Sequence, residues 1–148
     1  EGYFHSVSLM TNAQRQQLFS AGLNRELAGY NAVEVLRRHA ATAQTAHPLS
    51  LIQYLDMKTY LVGDILTKVD RASMAHSLEV RVPLLDHRFV EWVSGLPPEL
   101  KLRNGEGKYI FKKTLEGKLP YDLLYRKKMG FAIPVAAWFR GPLKAKLR

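Results

Sequence analysis

Apolar side chains recur at helical spacing through most of the chain, and prolines and glycines separate the helical stretches. The longest pattern covers 49–69, where apolar residues fall three or four positions apart, and it predicts one long amphipathic helix. Near the N-terminus, Thr11 is followed three positions later by Gln14, a capping-box pattern that predicts a short helix over about 12–20. The pattern therefore favours a mainly helical chain.

The second half of the chain adds helices that begin at capping residues or prolines. Asp70 is placed to cap a second helix through Ala75, and Asp86 is placed to cap a helix over 87–95. Between them, alternating apolar residues over 78–85 predict an extended segment, either a short strand or a strand-like loop. Further helices are predicted over 32–40, over 108–117 after a turn at 105–107, from Pro120 through Leu124 and from Pro134 around Trp138, with loops over 41–47 and 126–131. At most one or two short strands are expected.

Length and composition are compatible with one ordinary domain: 148 residues, 47% hydrophobic, with no cysteine. Surface scaling gives about 7,700 Å² folded against about 24,500 Å² extended, which predicts that a real hydrophobic core forms. The lack of cysteine excludes thiolate catalysis, thiolate zinc sites and disulfides, and it fits a reducing compartment. No apolar run approaches the roughly 20 residues of a membrane span, and no signal pattern is present, so the predicted location is the cytoplasm.

The net charge of +9 is concentrated in the last third of the chain. Residues 96–148 carry 13 basic and 4 acidic side chains, whereas the preceding residues are balanced. This third is therefore the candidate for contacting an anion, and a solvated basic surface is the alternative. A basic helical module that binds nucleic acid is a further alternative, but no recognition helix or binding motif supports it, so no nucleic-acid partner is expected.

Several kinds of catalytic site are disfavoured by the residues present. The glycine and lysine at 107–108 do not form a phosphate-binding P-loop, because Leu102 stands where its first glycine belongs and Tyr109 replaces its Ser or Thr. The five histidines show no metal-ligand spacing, so no metal site is expected in this chain. No serine stands in a strand-turn-helix context that a hydrolase triad requires.

Charges of both signs recur among apolar residues over 70–86. In the extended part, the period of two places Glu79 and Arg81 on one face and the apolar residues on the other. One interpretation is an ion-pair network that fixes the corner between a helix and a strand. The other is a carboxylate and guanidinium pair displayed toward a substrate, since buried charges must pair or bind something.

A second cluster holds three consecutive cations, Arg126, Lys127 and Lys128, beside Gly130 and Phe131. Such a flexible basic segment is able to close over a polyphosphate, where a lysine stabilises developing negative charge. A solvated basic loop is the alternative.

Together these clusters resemble the glutamine-dependent asparagine synthetase family, in the C-terminal part of its synthetase domain. The resemblance is strong over 48–148 and weaker over 1–47. The matching segments are 66–74, 78–86, 107–108, 119–120 and 126–131, with Pro134 and Trp138 downstream. The resemblance implies a mainly α fold. This would be the helical C-terminal portion of an α/β synthetase domain of the adenine-nucleotide-alpha-hydrolase-like (PP-loop ATP pyrophosphatase) class.

Members of this family release ammonia from glutamine in a domain with a cysteine nucleophile. Their synthetase domain adenylates aspartate with ATP and Mg²⁺, and ammonia then displaces AMP. The cysteine domain and the pyrophosphate loop do not occur in this sequence. The expectation is therefore a C-terminal part of a longer enzyme, inactive alone, with ATP and Mg²⁺ held mainly upstream and a homodimer as a possible assembly. The alternatives are a bacterial relative that amidates a non-aspartate substrate of polysaccharide or envelope pathways, and an inactive interaction domain that retains the motifs.

The resemblance also implies roles for individual residues. Glu79 matches the acidic residue beside the acyl-adenylate, and Arg81 would steady that region or the substrate carboxylate. Arg71 matches a basic position near the nucleotide phosphates. Lys128 matches the mobile lysine that stabilises charge as the adenylate forms and collapses. Three further residues are assigned to architecture: Asp70, Asp86 and Phe131.

Overall fold

The computed structural model describes residues 2–127 and 134–147 as a series of short helices. The elements are α1 (Gly2–Val7), α2 (Asn12–Leu18), α3 (Ala21–Leu27), α4 (Val33–Thr42), α5 (Pro48–Lys58), a π-helical segment (Leu61–Leu66), α6 (Thr67–Met74), a 3₁₀ turn (Pro83–Leu85), α7 (His87–Ser94), α8 (Pro98–Lys101), β1 (Leu102–Arg103), β2 (Glu106–Gly107), α9 (Tyr109–Leu115), α10 (Tyr121–Leu124), α11 (Val135–Arg140) and a 3₁₀ turn (Lys144–Leu147). Helices account for 65% of the residues that the structure describes, which confirms the mainly α prediction. None of the helices in the described ranges is long and apolar enough to cross a membrane.

Helix α2 begins as the sequence predicts. The Gln14 amide donates to Thr11 Oγ1 at 3.2 Å, and the Thr11 amide donates to Gln14 Oε1 at 2.9 Å, which completes the capping box. Helices α1 and α3 were not predicted. For α3 a signal was present, because Ser20 caps it by accepting a hydrogen bond from the Leu23 amide at 3.2 Å.

The single helix predicted over 49–69 is wrong, because the helix is interrupted after α5. Thr59 leaves the helical region, with φ of −127° and ψ of −77°, and its hydroxyl donates to the Leu55 carbonyl at 2.7 Å. The chain then continues as the wider π-helical segment, whose Gly63 amide donates to the Thr59 carbonyl at 2.7 Å. The change from α-helix to π-helix and back divides the predicted helix into α5, the π-helical segment and the start of α6.

The predicted capping role of Asp70 is also wrong, whereas that of Asp86 is confirmed. Helix α6 continues from the π-helical segment without leaving helical geometry, so Asp70 lies within a helix that has no free first-turn amides to cap. Asp86 stands ahead of α7, and its Oδ1 accepts hydrogen bonds from the amides of Arg88 at 3.0 Å and Phe89 at 3.3 Å.

The β-structure within the described residues is one two-residue hairpin, in which β1 pairs antiparallel with β2. Asn104 and Gly105 form its turn, both with positive φ of 51° and 80°. This asparagine and glycine pair is the usual sequence of such a turn, and it lies where the sequence predicts a turn before α9. The residues over 78–82 form an irregular segment, which confirms the loop form of the extended prediction.

The predicted hydrophobic core does not form among the residues that the structure describes. The accessible surface is 12583 Å², well above the roughly 7,700 Å² expected of a compact chain of this size. In the described part of the chain, the buried apolar residues are Val33 and Leu55, at 7% and 6% exposure. The helices contact mainly their neighbours in sequence, so many of them keep exposed apolar side chains.

A polar contact joins the first helix to α5. The Tyr3 hydroxyl donates to the Asp56 carboxylate, across 53 positions of sequence. Burial, and then this hydrogen bond, raise the pKa of Tyr3 from 10.0 to about 12. The contact therefore ties the N-terminal helix to the helix that precedes the predicted site residues.

Candidate functional site

The predicted site residues lie at the end of α6 and in the segment that follows. Helix α6 ends in a Schellman motif, in which the Leu78 amide donates to the Ser73 carbonyl and the Ser77 amide donates to the Met74 carbonyl, both at 3.0 Å. Ser77 takes the left-handed conformation that this motif requires, with φ of 56°. The motif fixes the direction in which the chain leaves the helix, and Glu79 is the second residue after the turn.

Glu79 and Arg81 form an ion pair in this segment. Arg81 Nη2 lies 2.5 Å from Glu79 Oε1, and the two side chains are 70% and 84% exposed, respectively. The structure thus brings these two residues together on one face, as the period of two predicts. The neighbouring apolar residues Leu78, Val80 and Val82 are exposed as well. Because the pair is open to solvent, it is worth at most about 1 kcal/mol and does not fix the corner.

Arg71 lies on α6 and is exposed. Its backbone carbonyl accepts a hydrogen bond from the Ala75 amide at 3.1 Å, but its side chain makes no ion pair with Glu79, which pairs with Arg81. The N–H donors of a guanidinium without a carboxylate partner are available to a ligand. Arg71 therefore lies on α6, the helix that precedes Glu79 and Arg81, and it is not part of their ion pair.

Lys128 and Phe131 lie outside the described residues. The segment that leads to them follows α10, where Arg126 and Lys127 are exposed and irregular, which agrees with the predicted loop. Four cavities among the described residues are lined by side chains other than Arg71, Glu79 and Arg81.

One such cavity, which we name the tyrosine cleft, is an open cleft of about 450 Å³ between the hairpin, α9 and α10. Its polar lining includes Arg103, Tyr109, Lys113, Glu116 and Tyr125. Arg103 Nη1 donates to the Tyr109 hydroxyl at 3.1 Å, and the guanidinium carbon Cζ lies 5.1 Å from the centroid of the Tyr109 ring. Sequence reasoning missed this cleft, although three tyrosines interleaved with lysines over 109–125 were a visible signal.

Glu116 is the centre of the tyrosine cleft. It accepts a hydrogen bond from the Tyr125 hydroxyl at 2.5 Å, and it pairs with Lys113 at 2.9 Å. The hydrogen bond from Tyr125, and then that from Lys113, lower the pKa of Glu116. The same bonds raise the pKa of Tyr125 and of Lys113, because each stabilises the protonated donor.

A second cavity of about 450 Å³ is an apolar groove between α7 and α9. Phe89, Trp92 and Phe111 line it, and Trp92 is 61% exposed. At its edge Lys101 is buried to 9% exposure and donates from Nζ to the Ser94 carbonyl at 3.2 Å. The lining of this groove is mainly apolar, which suits packing against another apolar surface rather than catalysis.

Comparison with known proteins defines the family. Residues 2–148 match the family described as asparagine synthase. The chain therefore belongs to the asparagine synthase family.

Curated relatives agree with this family. The chain is 37% identical over 115 residues to asparagine synthetase [glutamine-hydrolyzing] 1 of Bacillus subtilis, covering 78% of this chain and 18% of the relative. It is 51% identical over 75 residues to asparagine synthetase [glutamine-hydrolyzing] 3 of the same species, covering 51% of this chain and 12% of the relative. It is 39% identical over 90 residues to the asparagine synthetase [glutamine-hydrolyzing] of Gallus gallus, covering 56% and 16%. The matched part is thus less than a fifth of each relative, and no solved structure matches the chain.

Proposed function

We propose that the protein carrying this chain is an ATP-dependent amide-forming ligase, and that residues 48–148, with 1–47 as a helical lead-in, form the C-terminal part of its synthetase domain. The observation that carries the proposal is the family match over 2–148, with relatives named as glutamine-hydrolysing asparagine synthetases. The proposed location is the cytoplasm, and the proposed assembly is a homodimer.

The proposed reaction has two steps. A carboxylate oxygen of aspartate attacks the α-phosphate of ATP, and pyrophosphate leaves with the electrons of the broken bond. Ammonia derived from glutamine then attacks the activated carbonyl carbon. AMP leaves, the nitrogen loses a proton, and asparagine is formed.

Glu79 is the proposed proton acceptor for the attacking nitrogen. Its carboxylate is exposed on a segment that the Schellman motif directs, so a substrate is able to reach it. Arg81 lies 2.5 Å from that carboxylate and is proposed to steady this region or the substrate carboxylate. A positioned carboxylate of this kind contributes roughly 10²–10⁴-fold to a proton transfer.

The cations have a separate role, toward the phosphates of ATP. Arg71 is exposed and makes no ion pair within the described ranges, so its planar guanidinium fits phosphate oxygens. Lys128 is proposed to stabilise the negative charge that develops on the phosphates in both steps.

Mg²⁺ does not fit the residues of this chain that the structure describes. A magnesium ion requires oxygen ligands arranged around one point, and no group of three or more carboxylates or histidines in the described part is placed to hold a metal ion. We therefore propose that Mg²⁺ is held mainly elsewhere in the enzyme.

The exposure of the Glu79 and Arg81 pair favours the catalytic interpretation over the structural one. A network that fixes a corner needs buried, fully paired groups, whereas these two side chains are open to solvent. The turn itself is held by backbone hydrogen bonds of the Schellman motif, which need neither charge.

The roles are tested by pyrophosphate release in the natural protein that carries this chain, with ammonia as the nitrogen source. Glu79→Gln and Lys128→Ala are expected to lower the aspartate-dependent rate by about 100-fold or more. Matched controls are Glu91→Gln, an exposed carboxylate on α7, and Lys127→Ala, the neighbouring cation. Folded Glu79→Gln and Lys128→Ala variants that keep wild-type rates would show the assignments to be wrong. A panel of other carboxylates tests the narrower alternative of a non-aspartate substrate.

A further inference from the structure

The apolar groove between α7 and α9 has positive charges in its lining and no negative charge among the lining residues that the structure describes. Lys101 and Lys108 line it, and no aspartate or glutamate does. Its apolar lining includes Phe89, Trp92 and Phe111, which are 36%, 61% and 42% exposed, respectively. An occupant that complements this groove therefore has an apolar body and a negative charge.

Lys101 is the buried charge at the edge of the apolar groove. The residue is 9% exposed, and its Nζ donates to the carbonyl of Ser94, the last residue of α7, at 3.2 Å. An ammonium has three donors, and this hydrogen bond uses one of them. Because a buried cation is costly without an anionic partner, a carboxylate is the group that best completes its hydrogen bonding.

The exposed surface of the chain indicates that the occupant is a polypeptide. The accessible surface of 12583 Å² exceeds that of a compact chain of this size by about 4,900 Å². One side of a standard protein interface covers only about 800 Å². A polypeptide that also covers neighbouring faces accounts for this excess better than a small ligand in one groove does.

The charge of the groove argues against a second copy of this chain as the occupant. A symmetric dimer through the groove places Lys101 and Lys108 of both copies against each other, and such like charges repel. A segment of the same polypeptide has no such conflict, and it reaches the groove at a high effective concentration. The chain covers 18% of its Bacillus subtilis relative, so most of the length of that relative lies outside the matched part.

We propose that the apolar groove is the docking site for an apolar segment of the same enzyme, outside residues 1–148, which carries a carboxylate that pairs with Lys101. The inference rests on the proposed function, because it takes the chain as part of a longer ligase. The docked segment covers Trp92 and Phe111, and its carboxylate accepts the donors of the Lys101 ammonium.

Hydroxyl-radical footprinting of the natural protein measures whether the groove is covered. Oxidation of Trp92 and Phe111 is followed by mass spectrometry under native conditions and in denaturant. We expect both rings to be oxidised about 10-fold more slowly in the native protein, because the docked segment shields them from solvent. Native rates close to the denatured rates would overturn the inference.

A benzophenone amino acid in place of Trp92 identifies the occupant by photo-cross-linking in the natural protein. The expected product has the mass of a single chain, and its cross-linked peptide lies outside 1–148 and contains an aspartate or glutamate beside apolar residues. A product of doubled mass shows a second copy in the groove and overturns the inference. So does a cross-link within 1–148, a peptide without a carboxylate, or no cross-link.

Lys101→Met tests the ion pair, because it removes the charge and keeps an unbranched side chain. The docked carboxylate is then left without its partner, so we expect Trp92 to be oxidised several-fold faster than in the wild type. Lys118→Met is the matched control, an exposed lysine outside the groove, and it is expected to leave Trp92 protected. Wild-type protection of Trp92 in Lys101→Met would contradict the proposed pairing.

These measurements do not depend on activity, so the two proposals fail separately. An open groove in a protein that releases pyrophosphate with aspartate and ammonia overturns the docking inference alone. A covered groove in a protein that lacks this activity overturns the proposed function alone.

Discussion

Ser77 takes a left-handed backbone conformation, with φ of 56°, at the turn between α6 and Glu79. The Schellman motif requires this conformation at that position, and glycine adopts it without the steric penalty of a side chain. A serine there is strained, and the strain lies two residues from a proposed catalytic carboxylate. At the scale of single residues, the site is thus set by backbone geometry more than by the exposed ion pair.

Replacement of this serine tests the role of the turn. Ser77→Gly is expected to raise the free energy of unfolding by about 0.5–1 kcal/mol, because it removes the strain while glycine loses some of the gain to backbone entropy. Denaturant unfolding of the natural protein measures the change. Ser77→Ala is the control and is expected to give no gain. Destabilisation by Ser77→Gly would contradict the left-handed assignment.

Among the elements, those that begin with a local side-chain signal were predictable from sequence. Thr11 and Asp86 cap helices where the sequence places them, since a cap depends only on residues three positions apart. The interruption at Thr59 was not predictable, because a threonine is common within helices and its hydroxyl bond to Leu55 follows from the break.

In the candidate site, too, some features are predictable from local sequence and others are not. The shared face of Glu79 and Arg81 follows from a period of two, so the sequence alone places them together. The tyrosine cleft depends on the approach of α10 to α9 through Tyr125 and Glu116, which residue spacing does not reveal. The sequence therefore predicts the local pair of Glu79 and Arg81, but it does not predict the tyrosine cleft, which depends on tertiary contacts.

The contact of α1 with α5 gives a pH prediction at the scale of elements. The pKa of Tyr3 is raised to about 12 in the folded chain, so its hydrogen bond to Asp56 stabilises the fold fully below pH 10 and is lost as pH rises toward 12. Tyr3→Phe is expected to cost about 1–2 kcal/mol near neutral pH, with the difference from wild type shrinking above pH 10. Unfolding curves of both proteins across pH measure this. A difference that grows at high pH would contradict the sign.

The whole chain exposes more surface than a compact domain of its size. Its 12583 Å² of accessible surface includes exposed aromatic side chains, of which Trp92 and Tyr121 are examples. Large exposed apolar areas in a folded protein are usually interaction surfaces.

The basic last third of the chain has fewer cations available to an anionic ligand than its net charge indicates. Lys112 pairs with Glu106, and Lys113 pairs with Glu116.

The proposed ligase activity has a definite set of products. The most direct test is the stoichiometry of products in the natural protein, with ATP, aspartate and ammonia supplied. We expect one pyrophosphate and one AMP for each asparagine formed, and no pyrophosphate without aspartate. Pyrophosphate release that does not depend on aspartate, or asparagine formation with ADP as the product, would contradict it.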